Sequence, residues 1–142
     1  MIRVEHVSKW YGATRAVHDL NFSIARGEIV GFLGPNGAGK STTMRILAGS
    51  LGSSTGRALI GGIDVSKQPM QTKRMVGYLP EFPPLYTDMR VRPFLRFCAR
   101  VKGAPAPLAD TEQVIERVGL SEVANRPIGH LSKGFRQRVG LA

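Results

Sequence analysis

Apolar and polar positions alternate with a period of two at the start of the chain. Ile2, Val4 and His6 alternate with polar neighbours, and Ala16-Val17-His18-Asp19-Leu20-Asn21-Phe22-Ser23-Ile24 does so less cleanly. Residues 2–11 and 16–24 therefore predict two β-strands, with Gly12 in the turn between them and Ala25-Arg26-Gly27 as the next turn. Glu28-Ile29-Val30-Gly31-Phe32-Leu33 is apolar without alternation, the pattern of a strand covered on both faces. A Gly-rich loop over 34–39 leads into a helix over Ser41–Ala48, ended by Gly49. Arg57-Ala58-Leu59-Ile60 reads as a short strand between turn-rich segments, 66–73 as a short helix, and Arg74–Leu79 as a further strand. Pro80, Pro83 and Pro84 forbid regular structure beyond it.

The period then changes. Phe94, Leu95, Cys98 and Val101 recur at helical spacing and predict a helix over 91–101, with Arg92, Arg96 and Arg100 on another face. Pro93 is tolerated in its first turn. Residues 103–107 read as a linker. Asp110 is the expected cap of a helix running through 118, with Gln113 three residues on and Gly119 as the stop. A last helix starts near Ser132.

Composition narrows the classes. The 142 residues are 42% hydrophobic and 21% charged, which excludes wholesale disorder, collagen and coiled coil. One cysteine, Cys98, excludes an internal disulfide and a Cys-based zinc site. The net charge of +10 invites a polyanion, yet the basic residues are scattered, and a nucleic-acid partner is not expected. Arg3 and the lack of a long apolar run argue against a secretory leader, so a cytoplasmic location is expected. His6, His18 and His130 have no metal-ligand spacing, and Trp10 reads as a packing residue.

Gly34-Pro35-Asn36-Gly37-Ala38-Gly39-Lys40-Ser41 has the spacing G-x-x-x-x-G-K-[ST]. Glycines let backbone N–H groups turn onto phosphate oxygens without a Cβ in the way, and the following helix points its positive end at the same anion. Lys40 adds a full charge for the β- and γ-phosphates, and the Ser41 hydroxyl is the expected Mg²⁺ ligand. Nucleotide binding follows; the nucleotide and what its binding drives do not.

Leu131-Ser132-Lys133-Gly134-Phe135-Arg136-Gln137-Arg138 adds the specificity. It resembles the Leu-Ser-Gly-Gly-Gln signature of ATP-binding-cassette (ABC) ATPases, followed by a basic helix. Gly34–Thr42 is similar to that family's phosphate loop, with Thr42 in the nucleotide site. Tyr11 stands where the family places an aromatic stacked on adenine. Val76-Gly77-Tyr78-Leu79-Pro80-Glu81 stands at its Gln loop. The chain most resembles ATP-binding subunits of ABC-2-type exporters, including the gliding-motility and multidrug branches. Three departures stand out: Glu81 where most members have Gln; Lys133 and Phe135 within the signature; and no apolar run ending in Asp-Glu among the 142 residues.

The resemblance implies an α/β P-loop NTPase core of ABC type, with an antiparallel β part over 1–26, a core over 27–81 and a helical signature subdomain over 82–142. It further implies that the chain stops before the family's acidic (Walker B) strand. It implies ATP and Mg²⁺ as cofactors, Lys40 and Glu81 in catalysis, Ser41 and Glu81 toward the metal, and Leu131–Phe135 facing the ATP of an opposite subunit. The implied partners are a second ATP-binding domain, head to tail, and a membrane-spanning subunit that would hold the protein at the inner face of the membrane. The alternatives are a nucleotide-binding fragment without turnover and part of a soluble ABC protein that does not transport.

Overall fold

Strands β1 (Ile2–Tyr11) and β2 (Thr14–Ile24) form a long antiparallel hairpin, from Ile2↔Ile24 at the open end to Tyr11↔Thr14 at the turn. In the computed structural model, which describes Met1–Ala142, the chain divides into two compact units, Met1–Tyr78 and Leu79–Ala142. In the first unit β1 is central. Its other edge pairs antiparallel with β3 (Thr55–Ile60), and β4 (Ile63–Asp64) completes a four-stranded sheet in the order β2-β1-β3-β4. The antiparallel sheet thus extends past the expected 1–26 to take in residues 55–64. Helix α1 (Lys40–Leu47) lays Ile46 against Val4, Val7, Val17, Ala58, Ile60 and Val65, which form the core of this unit.

The period of two breaks within β1. Val4 and Val7 are both buried, while His6, expected on the face of Val4, is exposed. The cause is a bulge. His6 and Asp19 both have positive φ, 50° and 43°, and the register shifts between Val4 and Val7. Side chains supply the bonds there: His6 N–H donates to Asn21 Oδ1 (2.8 Å) and Asp19 N–H to Ser8 Oγ (2.9 Å). An extra residue on one strand turns every later side chain to the other face, so Val7 regains the core.

Two expected strands are absent. Residues 28–33 and 74–79 adopt no regular structure, and Ile29, Val30 and Leu33 are exposed. A strand exists only when its backbone groups find a partner strand. The sheet runs from β2 to β4, and neither segment has a neighbour in it. The expected helix over 66–73 is shorter, α2 (Pro69–Lys73), with Pro69 in its first turn.

The second unit is helical. In α3 (Val91–Val101), Val91, Phe94 and Leu95 are buried and Cys98 packs on the core half-buried, whereas Val101, expected on that face, is exposed. Helix α4 (Pro107–Arg117) starts three residues before the expected cap. Pro107 begins it at no loss, because its missing N–H is one the helix would leave unpaired. Asp110 lies inside the first turn and accepts a hydrogen bond from Ala106 N–H at 3.3 Å. Two 3-10 turns, Ser121–Val123 and Ile128–His130, fold Leu120, Val123 and Ile128 under α3, and α5 (Lys133–Leu141) closes the core with Val139. Each large side chain so buried stabilises the unit by about 1.5–3 kcal/mol relative to exposure.

Candidate functional site

The Gly-rich segment 34–39 enters α1 at Gly39, whose φ of 83° suits a residue without Cβ. A side chain there would strike the Ala16 carbonyl of β2. The loop therefore lies flush against the sheet, and its composition follows from that approach. Ala38 N–H donates to Pro35 O at 3.2 Å and Thr43 N–H to Gly39 O at 2.8 Å. Thr43 Oγ1 bonds the same carbonyl at 3.0 Å. No side chain caps the N-terminus of α1, and no acidic residue lies in its first turn. The positive end of the helix dipole is thus uncompensated where the loop meets it.

Lys40 turns its ammonium back across the loop and donates to Gly34 O at 2.6 Å and Pro35 O at 2.7 Å. These bonds hold a full positive charge over the loop. Gly34, Pro35, Asn36, Gly37, Ala38 and Ser41 are exposed, and Thr42 is half-buried. Loop, helix end and ammonium meet on the surface of the first unit. A Gly-rich loop on an uncapped helix N-terminus is chemically suited to an anion.

A cavity of about 270 Å³ adjoins the loop, lined by Arg15, Val17, His18, Phe32, Ala38 and Thr43 among others. Strand periodicity does not single out Arg15 or the Ala16 carbonyl, and their only sequence signal is nearness in the chain to Tyr11. Tyr11 ends β1, is exposed, and has Lys9 Nζ 5.6 Å from its ring centroid. No cluster of three or more His, Cys, Asp or Glu side chains with metal-binding geometry is present. The exposed Ser41, near the start of α1, carries an oxygen donor of the type that suits Mg²⁺, a cation that needs few protein ligands beside water and phosphate oxygens.

The signature residues lie in the second unit, and so does Glu81. Ser132 caps α5, its Oγ accepting from Phe135 N–H at 3.3 Å. Ser132, Lys133 and Gly134 are exposed. Leu131 is buried in the helical core, and Phe135 packs on that core with Arg138 5.5 Å from its ring. These two side chains tie the motif to the helical core of the second unit. On the polar face of α3, Arg92 and Arg96 are paired. Both contact Glu112 of α4, Arg92 Nε at 2.9 Å and Arg96 Nη2 at 3.0 Å, and Arg92 Nη1 donates to Asn125 Oδ1 at 2.6 Å. Burial works to raise the Glu112 pKa, but the hydrogen bonds from Arg92 and Arg96 outweigh it and hold the carboxyl below its usual range.

The family model described as ABC transporter matches residues 17–142. The chain is 37% identical over 144 aligned positions to the uncharacterized ABC transporter ATP-binding protein YxlF of Bacillus subtilis, covering all of this chain and 47% of that protein. It is 34% identical to the bacitracin transport ATP-binding protein BcrA of Bacillus licheniformis, covering all of this chain and 46% of that one. Among solved structures, an ATP-binding subunit of an ABC transporter superposes at TM-score 0.81 with 30% identity, covering 99% of this chain and 60% of the other. The ATP-binding cassette MJ0796 shares the fold at TM-score 0.86 and 22% identity, covering 99% of this chain and 67% of that one. The chain spans about half or less of the length of the curated relatives named here.

Proposed function

The chain belongs to the ABC transporter family, and from that premise we propose that it binds Mg-ATP and serves an ATP-binding subunit whose hydrolysis energises export through a membrane-spanning partner. The observation that carries the reading is the loop 34–39 set on the uncapped N-terminus of α1, with the Lys40 ammonium held across it. In the proposed complex Lys40 exchanges its two carbonyl oxygens for β- and γ-phosphate oxygens. Backbone N–H groups of the loop and of the first turn of α1 face the same phosphates. Ser41 would hold the metal through its hydroxyl, and Mg²⁺ would there supply neutralisation of phosphate charge. Tyr11 stacks on the base. For Glu81, at the Gln-loop position in the second unit, the family resemblance implies a role toward the metal. Ser132 and Gly134 of one copy meet the γ-phosphate held by another, in a head-to-tail pair.

One relative is named for bacitracin transport and another as a probable multidrug ABC transporter ATP-binding protein, YbhF of Escherichia coli, while a third, 37% identical, is named for sulfate/thiosulfate import; export is our reading from the first two. No helix is long and apolar enough to cross a membrane, so contact with one falls to the partner in this reading. These 142 residues contain no apolar run ending in Asp-Glu. We therefore assign them nucleotide binding without multiple turnover.

Titration with a fluorescent ATP analogue and Mg²⁺ at fixed salt tests the reading. Lys40→Ala removes charge-assisted bonds of roughly 1.5–3 kcal/mol, so affinity should fall about ten- to hundred-fold. Equal affinity for both proteins would overturn the site. Phosphate release by the purified chain should match that of Lys40→Ala. Lys40-dependent turnover would show instead that Glu81 acts as the base.

A further inference from the structure

Helix α5 grips the loop that carries Glu81 at three points. Gln137 Nε2 donates to the Glu81 carbonyl oxygen at 2.7 Å. Lys133 Nζ lies 4.0 Å from Glu81 Oε1 and 5.6 Å from the centroid of the Phe82 ring. Lys133 and Gln137 are four residues apart, so they stand one turn above the other on one face of the helix. With Glu81, Phe82, Leu85 and Arg136 they line a groove of about 280 Å³ within the second unit. Pro83 seats against Gly140 at the far end of the same helix, in space that any side chain at 140 would need. The binding reading above gives Gln137 no role, and Lys133 enters it only as a member of the run 131–135 that the resemblance turns toward an opposite ATP.

Two of the positions at which this chain departs from the family pattern are Glu81 and Lys133. They bring opposite charges, and they face each other. We propose that Lys133 and Gln137 are positioning residues for Glu81, and that they lock the 81–82 loop to the helix that begins at the signature Ser132. Gln137 fixes the backbone of residue 81, which leaves only the side chain to be ordered. Lys133 then draws the carboxylate toward α5 while its ammonium rests on Phe82. An exposed ion pair alone is weak, and both side chains here are about 70% exposed. The lock depends on the three contacts acting on two adjacent loop residues. Its consequence is that α5 and the Glu81 loop move as one body. A displacement of the signature helix therefore carries Glu81 with it. The role of Glu81 at the metal rests on the binding reading above; the lock does not.

Hydrogen exchange of the 142-residue chain tests the lock. The amides to follow are those of Leu85 and Met89, which donate to the Pro83 and Tyr86 carbonyls, with the α3 amides as an internal measure of folding. Gln137→Ala and Lys133→Glu should each speed exchange in the loop about two- to five-fold and leave α3 unchanged. Lys133→Arg should keep wild-type protection, and the swap Glu81→Lys with Lys133→Glu should restore it. Unchanged loop exchange in both single variants, or a swap that restores nothing, overturns the proposal. Should Lys133→Glu also expose α3, Lys133→Gln is read in its place. Titrating the ATP analogue against the same proteins separates the two ideas. Lys40-dependent binding with unaltered loop exchange sinks the lock alone. Altered exchange without Lys40-dependent binding sinks the nucleotide reading alone.

Discussion

Gly39 holds φ at 83° with the Ala16 carbonyl pressed against it. Both facts exclude a side chain, one through backbone strain and one through space. Gly39→Ala should therefore lose about 1–3 kcal/mol of stability. It should also weaken binding of an ATP analogue, because the loop must lift from β2 to relieve the clash. Thermal unfolding and the same titration measure both effects, and an unchanged midpoint would mean that the loop does not seat on the sheet. Lys40 beside it is different in kind. Its ammonium is held only by Gly34 and Pro35 carbonyls of its own loop, so its removal should alter binding far more than folding. Both residues were visible in the sequence because their spacing carries the chemistry. The Ala16 carbonyl was not, since any residue type supplies one.

Helices α3, α4 and α5 show what joins one element to the next. Ser132 closes the first turn of α5 through Phe135 N–H. Ser132→Ala should cost about 1 kcal/mol. A thermal midpoint equal to wild type would show that the cap is not formed in solution. Between α3 and α4 the joint is electrostatic. Arg92 and Arg96 converge on Glu112, whose ordinary value of 4.5 is lowered in the fold. A lowered carboxyl binds fewer protons folded than unfolded near that value, so its contribution is fully present above 4.5. It is lost as the pH falls from there through the lower folded value. We expect stability to decline with acid in that window, and Glu112→Gln to flatten this part of the profile. Denaturant unfolding from pH 6 to pH 3 checks it; parallel profiles would mean that the pair contributes nothing. The apolar face of α3 was legible from its spacing. The pairing of its arginines was not, because Glu112 lies in a different helix.

Across the chain the largest irregularity is residues 28–33, an apolar segment left uncovered. Ile29 and Leu33 are 102% and 93% exposed, and Val30, Met44 and Met75 are exposed as well. Apolar surface of this kind drives association. Light scattering should show the purified chain growing in mass with concentration, and Ile29→Lys with Leu33→Lys should suppress the growth. A monodisperse monomer at all concentrations would count against it.

The phosphate loop, the spans of α1 and α3, the start of the last helix near Ser132 and the β1–β2 hairpin could all be read from residue order. Each is governed by interactions a few residues apart, whether the turn of a helix, a cap or a tight turn. Other features came only with the folded chain: the absence of strands at 28–33 and 74–79, the bulge that exposes His6 and buries Val7, the Arg92–Glu112–Arg96 joint and the grip of α5 on Glu81. Each of these needs a partner far away in sequence. A strand needs a neighbouring strand, a bulge needs opposing side chains, and a charge needs its counterion. An apolar run records that burial would be favourable. It does not record which distant backbone, if any, arrives to cover it.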